Sequence, residues 1–118
     1  MEGPTSNWTF LSNHAHVLVC LAQDPDTRIR DVAQKVGVTE RAAFRIVHEL
    51  EEGGVIRRSR EGRRNRYEID LSVKLRHPLE EAQTVGALLS VLLDKAQAER
   101  VGLASRPGRQ PKSSKLSR

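Results

Sequence analysis

A chain of 118 residues with 37% hydrophobic and 3% aromatic side chains has room for one domain with a modest core and a tail, and not for a separate effector-binding domain. The lone Cys20 excludes a disulfide framework and a thiolate zinc cluster. With no evident N-terminal signal and no apolar run of bilayer length, a cytoplasmic protein without a membrane partner is expected. Net charge is +5 but uneven: Ser105–Arg118 carries Arg106, Arg109, Lys112, Lys115 and Arg118 with no acid, leaving 15 basic and 15 acidic residues in Met1–Ala104.

Met1–Asn7 is polar and reads as a flexible N-terminus (1–7). Trp8, Phe10 and Leu11 follow and are expected to anchor the core. Ser12 or Asn13 can cap a helix running to about Gln23, with Val17, Leu18, Cys20 and Leu21 available for burial. The Asp24-Pro25-Asp26 cluster ends it. Thr27–Arg30 fits a short edge strand that pairs with a later hairpin.

Asp31–Leu50, DVAQKVGVTERAAFRIVHEL, reads as two short helices joined by a tight turn. Val32, Ala33 and Val36 share a face of the first, and Ala43, Val47 and Leu50 share a face of the second. Gly37 suits the left-handed position just past the first helix, Thr39 can cap the next, and Glu40 suits its positive dipole end. Small Ala33, Gly37 four later, Val38 five later, then Ala43 and Ile46, make a spacing that resembles a helix-turn-helix. Its second helix, 39–51, leaves Thr39, Glu40, Arg41, Phe44, Arg45 and His48 outside the buried set. Arg41 and Arg45 lie one turn apart, and an arginine can pair bidentately with guanine O6 and N7. Phe44 suits either a thymine methyl or partial burial, and Glu40 can accept from cytosine or orient Arg41.

A helix stop at Gly53-Gly54 leads into a predicted hairpin. Val55 and Ile56 start its first strand, Gly62 permits the connection, and Tyr67, Ile69 and Leu71 alternate with polar residues in the second. Arg57, Arg58, Arg60, Arg63, Arg64, Asn65 and Arg66 make this wing, 57–66, the densest positive stretch of a body that is neutral only as a whole. Phosphate contacts are expected of it. Residues 8–76 thus form the expected DNA-binding domain.

Leu71–His77 is a connector, and Pro78 is suited to the first turn of a long helix reaching about Arg100. Apolar residues cover more than one stripe of it. A homodimer through this C-terminal segment, 77–104, is therefore expected, with Val85, Leu88, Leu89, Leu92, Leu93 and Ala96 at the seam; burial against the chain's own body is the alternative. Residues 105–118 read as a disordered basic tail, either a non-specific phosphate contact or a solubiliser. His16 and Cys20 share a helix face but would need a third ligand, from His48, His77 or an acid, that sequence does not place, and no nucleophile has an evident base. No catalytic or metal site, no cofactor and no enzymatic activity is expected, and no small-molecule effector is assigned.

From Trp8 to Leu93 the chain resembles a bacterial winged helix-turn-helix transcriptional regulator of the MarR and ArsR kind. The resemblance is carried by Asp31–Thr39, the helix through Leu50, the Leu-Glu-Glu-Gly-Gly-Val-Ile run from Leu50 to Ile56, and the basic wing. It implies a mainly α, α+β winged helix with a two-stranded wing and a long C-terminal helix. It also implies a homodimer on double-stranded DNA, the second helix in the major groove and the wing on the backbone or minor groove. The clustered cysteines of metal-sensing members are missing here. A winged-helix protein-interaction module and an RNA-binding adaptor are the alternative functions.

Overall fold

The computed structural model describes residues 8–102; the expectations for residues 1–7 and 105–118 lie outside them. The elements in order are α1 (Asn13–Gln23), α2 (Ile29–Val36), α3 (Glu40–Glu52), β1 (Ile56–Glu61), β2 (Arg64–Ile69), α4 (Val85–Leu92) and α5 (Lys95–Arg100). No described helix is long and apolar enough to cross a membrane.

Local chemistry sets the ends of the first three helices. The Ser12 hydroxyl accepts from the Ala15 N–H to start α1, and the Asp24 N–H donates back to the Cys20 carbonyl before Pro25. Gly37 ends α2 at φ +90°, its N–H donating to the Ala33 carbonyl at 2.8 Å. The Thr39 hydroxyl accepts from the Ala42 N–H at 3.0 Å and opens α3. Val17, Leu18, Leu21, Val32, Ala33, Ala43, Ile46, Val47 and Leu50 are buried together, so the three helices share one core. Burial pushes the Cys20 thiol above its ordinary range.

The hairpin is antiparallel, with Ile56 opposite Ile69 at its base and Glu61 opposite Arg64 at its tip. Gly62, at φ +65°, opens the two-residue connection. Opposed residues share a face, so Ile56, Arg58 and Arg60 lie on the same side as Ile69, Tyr67 and Asn65. This side is buried at Ile56 and Tyr67 and polar toward the tip. The Tyr67 N–H donates to the Pro25 carbonyl, fixing the wing to the body, and the Asp70 N–H donates to the Val55 carbonyl, closing the base of the hairpin. Three helices followed by this two-stranded wing make an α+β winged helix.

Several expectations need correction. The helix expected from Pro78 to Arg100 is two short helices preceded by turns. His77 and Glu80 accept turn hydrogen bonds from Glu80 and Gln83, and only at Thr84, whose hydroxyl accepts from the Ala87 N–H, does α4 begin. Leu93 is extended at ψ 148°, and Asp94 starts α5 through a capping box with Gln97. Val85, Leu89 and Leu93, expected at a dimer seam, are buried inside the protomer: at a spacing of four they join the core of α1 to α3. The start of α4 is held there by Val85 N–H to the Val73 carbonyl and Gly86 N–H to the Leu71 carbonyl. Trp8 and Phe10 are exposed rather than core anchors; they precede the α1 cap and pack edge-to-face on each other, ring centres 5.1 Å apart. Thr27–Arg30 is not a strand, because Ile29 already turns into α2 and β2 reaches only the Pro25 carbonyl.

Candidate nucleic-acid interface

One face of α3 is buried through Ala43, Ile46, Val47 and Leu50, and this fixes which residues face outward. Glu40, Arg41, Phe44, Arg45 and His48 are all exposed, Phe44 at 55%. Thr39 is also exposed, but its hydroxyl is occupied by the helix cap. Arg41 has no ion-pair partner among the described residues, while Arg45 lies 3.4 Å from Glu49 on the next turn. His48 lies 3.3 Å from Glu52 in the same way. Exposed pairs one helical turn apart contribute little to stability and yield readily to a stronger partner.

Glu49 has a second partner. The His14 Nε2 of α1 donates to its Oε1 at 2.7 Å, and that hydrogen bond, aided by Arg45, holds the Glu49 carboxyl below the usual range. The carboxylate therefore links α1 to the helix that carries Arg45. It also borders a groove of about 810 Å³ between the N-terminal side of α1, the end of α3 and α4, with Phe10 and Leu88 in its lining.

The wing arginines fall into two groups. Arg57 pairs with Glu68 across the strands, Arg58 lies 3.3 Å from Glu51 at the end of α3, and Arg66 grips both oxygens of Asp26 at 2.8 and 2.9 Å. The hydrogen bond from Arg66 to Asp26, followed by their charge attraction, raises the guanidinium's pKa further. Arg60, Arg63 and Arg64 have no ion-pair partner among the described residues. Asn65 is half-buried beside them. The Tyr67 hydroxyl, close to Asn65 and Arg58, is pushed up by burial.

Asp26 and Glu51 are ion-pair partners that sequence reading missed; only the folded chain brings them to Arg66 and Arg58, 40 and 7 residues away. Arg28 and Arg30 were missed as well. Both are exposed next to the wing, and the Arg-x-Arg spacing that signals them falls within the expected edge strand, Thr27–Arg30. Among the described residues no three His, Cys, Asp or Glu side chains gather at metal-ligand range. His16 donates instead to Asn13 Oδ1 at 3.2 Å.

A helix-turn-helix with an outward row of polar and aromatic side chains, flanked by a basic two-stranded wing, defines a winged-helix module of the kind that presents one helix to a partner. The model of the MarR family matches residues 12–64, from the α1 cap to the start of β2. MarR-family proteins are DNA-binding transcription regulators, and over these residues the chain is similar to them. No curated protein and no solved structure matches the chain.

Proposed function

We propose that this protein is a sequence-specific, double-stranded-DNA-binding transcriptional regulator without enzymatic activity, acting as a homodimer. α3 enters the major groove, and the wing lies on the backbone or in the minor groove. The observation that carries this reading is the exposed row Arg41, Phe44, Arg45 and His48 on a helix whose opposite face is core, with Arg60, Arg63 and Arg64 beside it. Guanidiniums on the helix read guanine edges, and those of the wing meet phosphates. Selection from a random duplex pool at physiological salt is the test. A palindromic motif with half-site centres about 34 Å apart is expected; a pool that returns no enriched sequence overturns the reading.

The dimer has its own support. Val91 is 78% exposed, Leu92 38%, and half-buried Leu88 sits one turn before Leu92 and lines the same groove as the exposed Phe10. An apolar face of this kind suits burial against a second copy. The seam thus moves to Leu88, Val91 and Leu92, with Val85, Leu89 and Leu93 inside the protomer and exposed Ala96 on the separate α5.

A further inference from the structure

Beside the exposed face of α3 lies a cleft of about 570 Å³. The start of α2 contributes Arg28 and Arg30 to its lining, α3 contributes Glu40 and Phe44, and the wing contributes Arg63 and Arg64. All six residues are exposed. None of the four arginines has an ion-pair partner among the described residues. Asp26 also borders the cleft, but Arg66 already holds both of its oxygens. Among the lining residues, Glu40 is therefore the one acid left to answer four guanidiniums.

Holding four like charges around one concavity is unfavourable unless an anion is shared among them. The cleft is larger than an isolated phosphate ion needs, and it runs into α3 through Glu40 and Phe44. Both features suit a short run of sugar and phosphate belonging to the same polymer that α3 reads. Planar guanidiniums bind phosphate oxygens bidentately, and the exposed Phe44 ring offers an apolar surface to a deoxyribose.

We propose that this cleft is a DNA-backbone site: one strand of the duplex whose major groove receives α3 passes through it, its phosphates held by Arg28 and Arg30 from the α2 side and by Arg63 and Arg64 from the wing side. The proposal rests on the DNA-binding reading above and adds to it a second clamp, outside the recognition helix and ahead of it in the chain.

The test uses the full chain with Arg28→Gln and Arg30→Gln combined, titrated at several salt concentrations against a duplex selected by the wild type and a scrambled duplex. The two substitutions should weaken both duplexes by the same factor. The slope of log affinity against log salt should become shallower by about 1.8, about 0.9 for each phosphate no longer neutralised. Because both side chains are exposed, the urea midpoint should match the wild type, which separates weakened DNA binding from a damaged fold. An unchanged slope in a protein that still selects its sequence overturns the cleft alone, as does a loss confined to the selected duplex. A wild type with no sequence preference overturns the DNA-reading function and the cleft with it.

Discussion

Arg57, Arg58 and Arg66 carry charges that the fold itself has already answered with Glu68, Glu51 and Asp26. Arg60, Arg63 and Arg64 carry charges still open to a partner. Arg64→Ala should accordingly weaken binding to all duplexes alike and flatten the salt slope by about 1, whereas Arg57→Ala should change it less; titrations in parallel decide this. On α3, Arg41→Ala or Arg45→Ala should cost roughly 1–3 kcal/mol against the selected sequence and relax preference at one base pair. Gly37 is a different kind of residue. Nothing lies within 4 Å of a Cβ added there, so Gly37→Ala meets only the backbone strain of φ +90°, and a loss of roughly 1–2 kcal/mol is expected in urea unfolding.

Glu49 makes stability depend on pH. Its carboxyl is held below the ordinary glutamate value by the His14 hydrogen bond, so its contribution is present above that value and lost as pH falls through the depressed one. Wild type and Glu49→Gln should therefore differ in urea midpoint at neutral pH and converge as the pH falls below the ordinary glutamate range. Asp70 follows the same rule, because the Ser72 side chain and N–H both donate to its Oδ1 at 2.6 and 3.0 Å.

At the scale of elements, α4 decides how the end of the chain is used. Leu89 is fully buried in the same core as Val17 and Leu21, so Leu89→Ala should lower unfolding stability by about 2–5 kcal/mol, and Leu89→Glu should unfold the protomer before it can report on association. Val91→Glu, on the opposite side, should leave the unfolding midpoint nearly unchanged and convert dimers to monomers by light scattering; a surviving dimer would refute the relocated seam. The helix-turn-helix was legible because its determinants are local: Ser12, Gly37 and Thr39 act within four residues of themselves. The hairpin was legible from Gly62 and the alternation through Tyr67 and Ile69. The C-terminal break had a local signal too, Asp94 three residues before Gln97, but the near-continuous apolar run from Val85 to Leu93 masked it. No periodicity reveals that Leu89 joins the core that holds Val17, or that Asp26 pairs with Arg66. Those pairings join distant parts of the chain and exist only after it has folded.

For the whole molecule, the first three helices, the base of the wing and α4 draw on a single set of buried residues. The C-terminal stretch is therefore not a detachable appendage, and a chain cut after Arg76 should lose its cooperative thermal transition because Val85, Leu89 and Leu93 leave that set. Protein interiors are close-packed and transmit displacement with little give. In the proposed dimer α4 bears the partner on one side and its own core on the other, so no joint stands between the junction of the two copies and either reading head. The protein becomes a caliper of fixed span: inserting five base pairs between half-sites, about half a helical turn, should abolish high-affinity binding in a gel-shift assay rather than be absorbed by flexing.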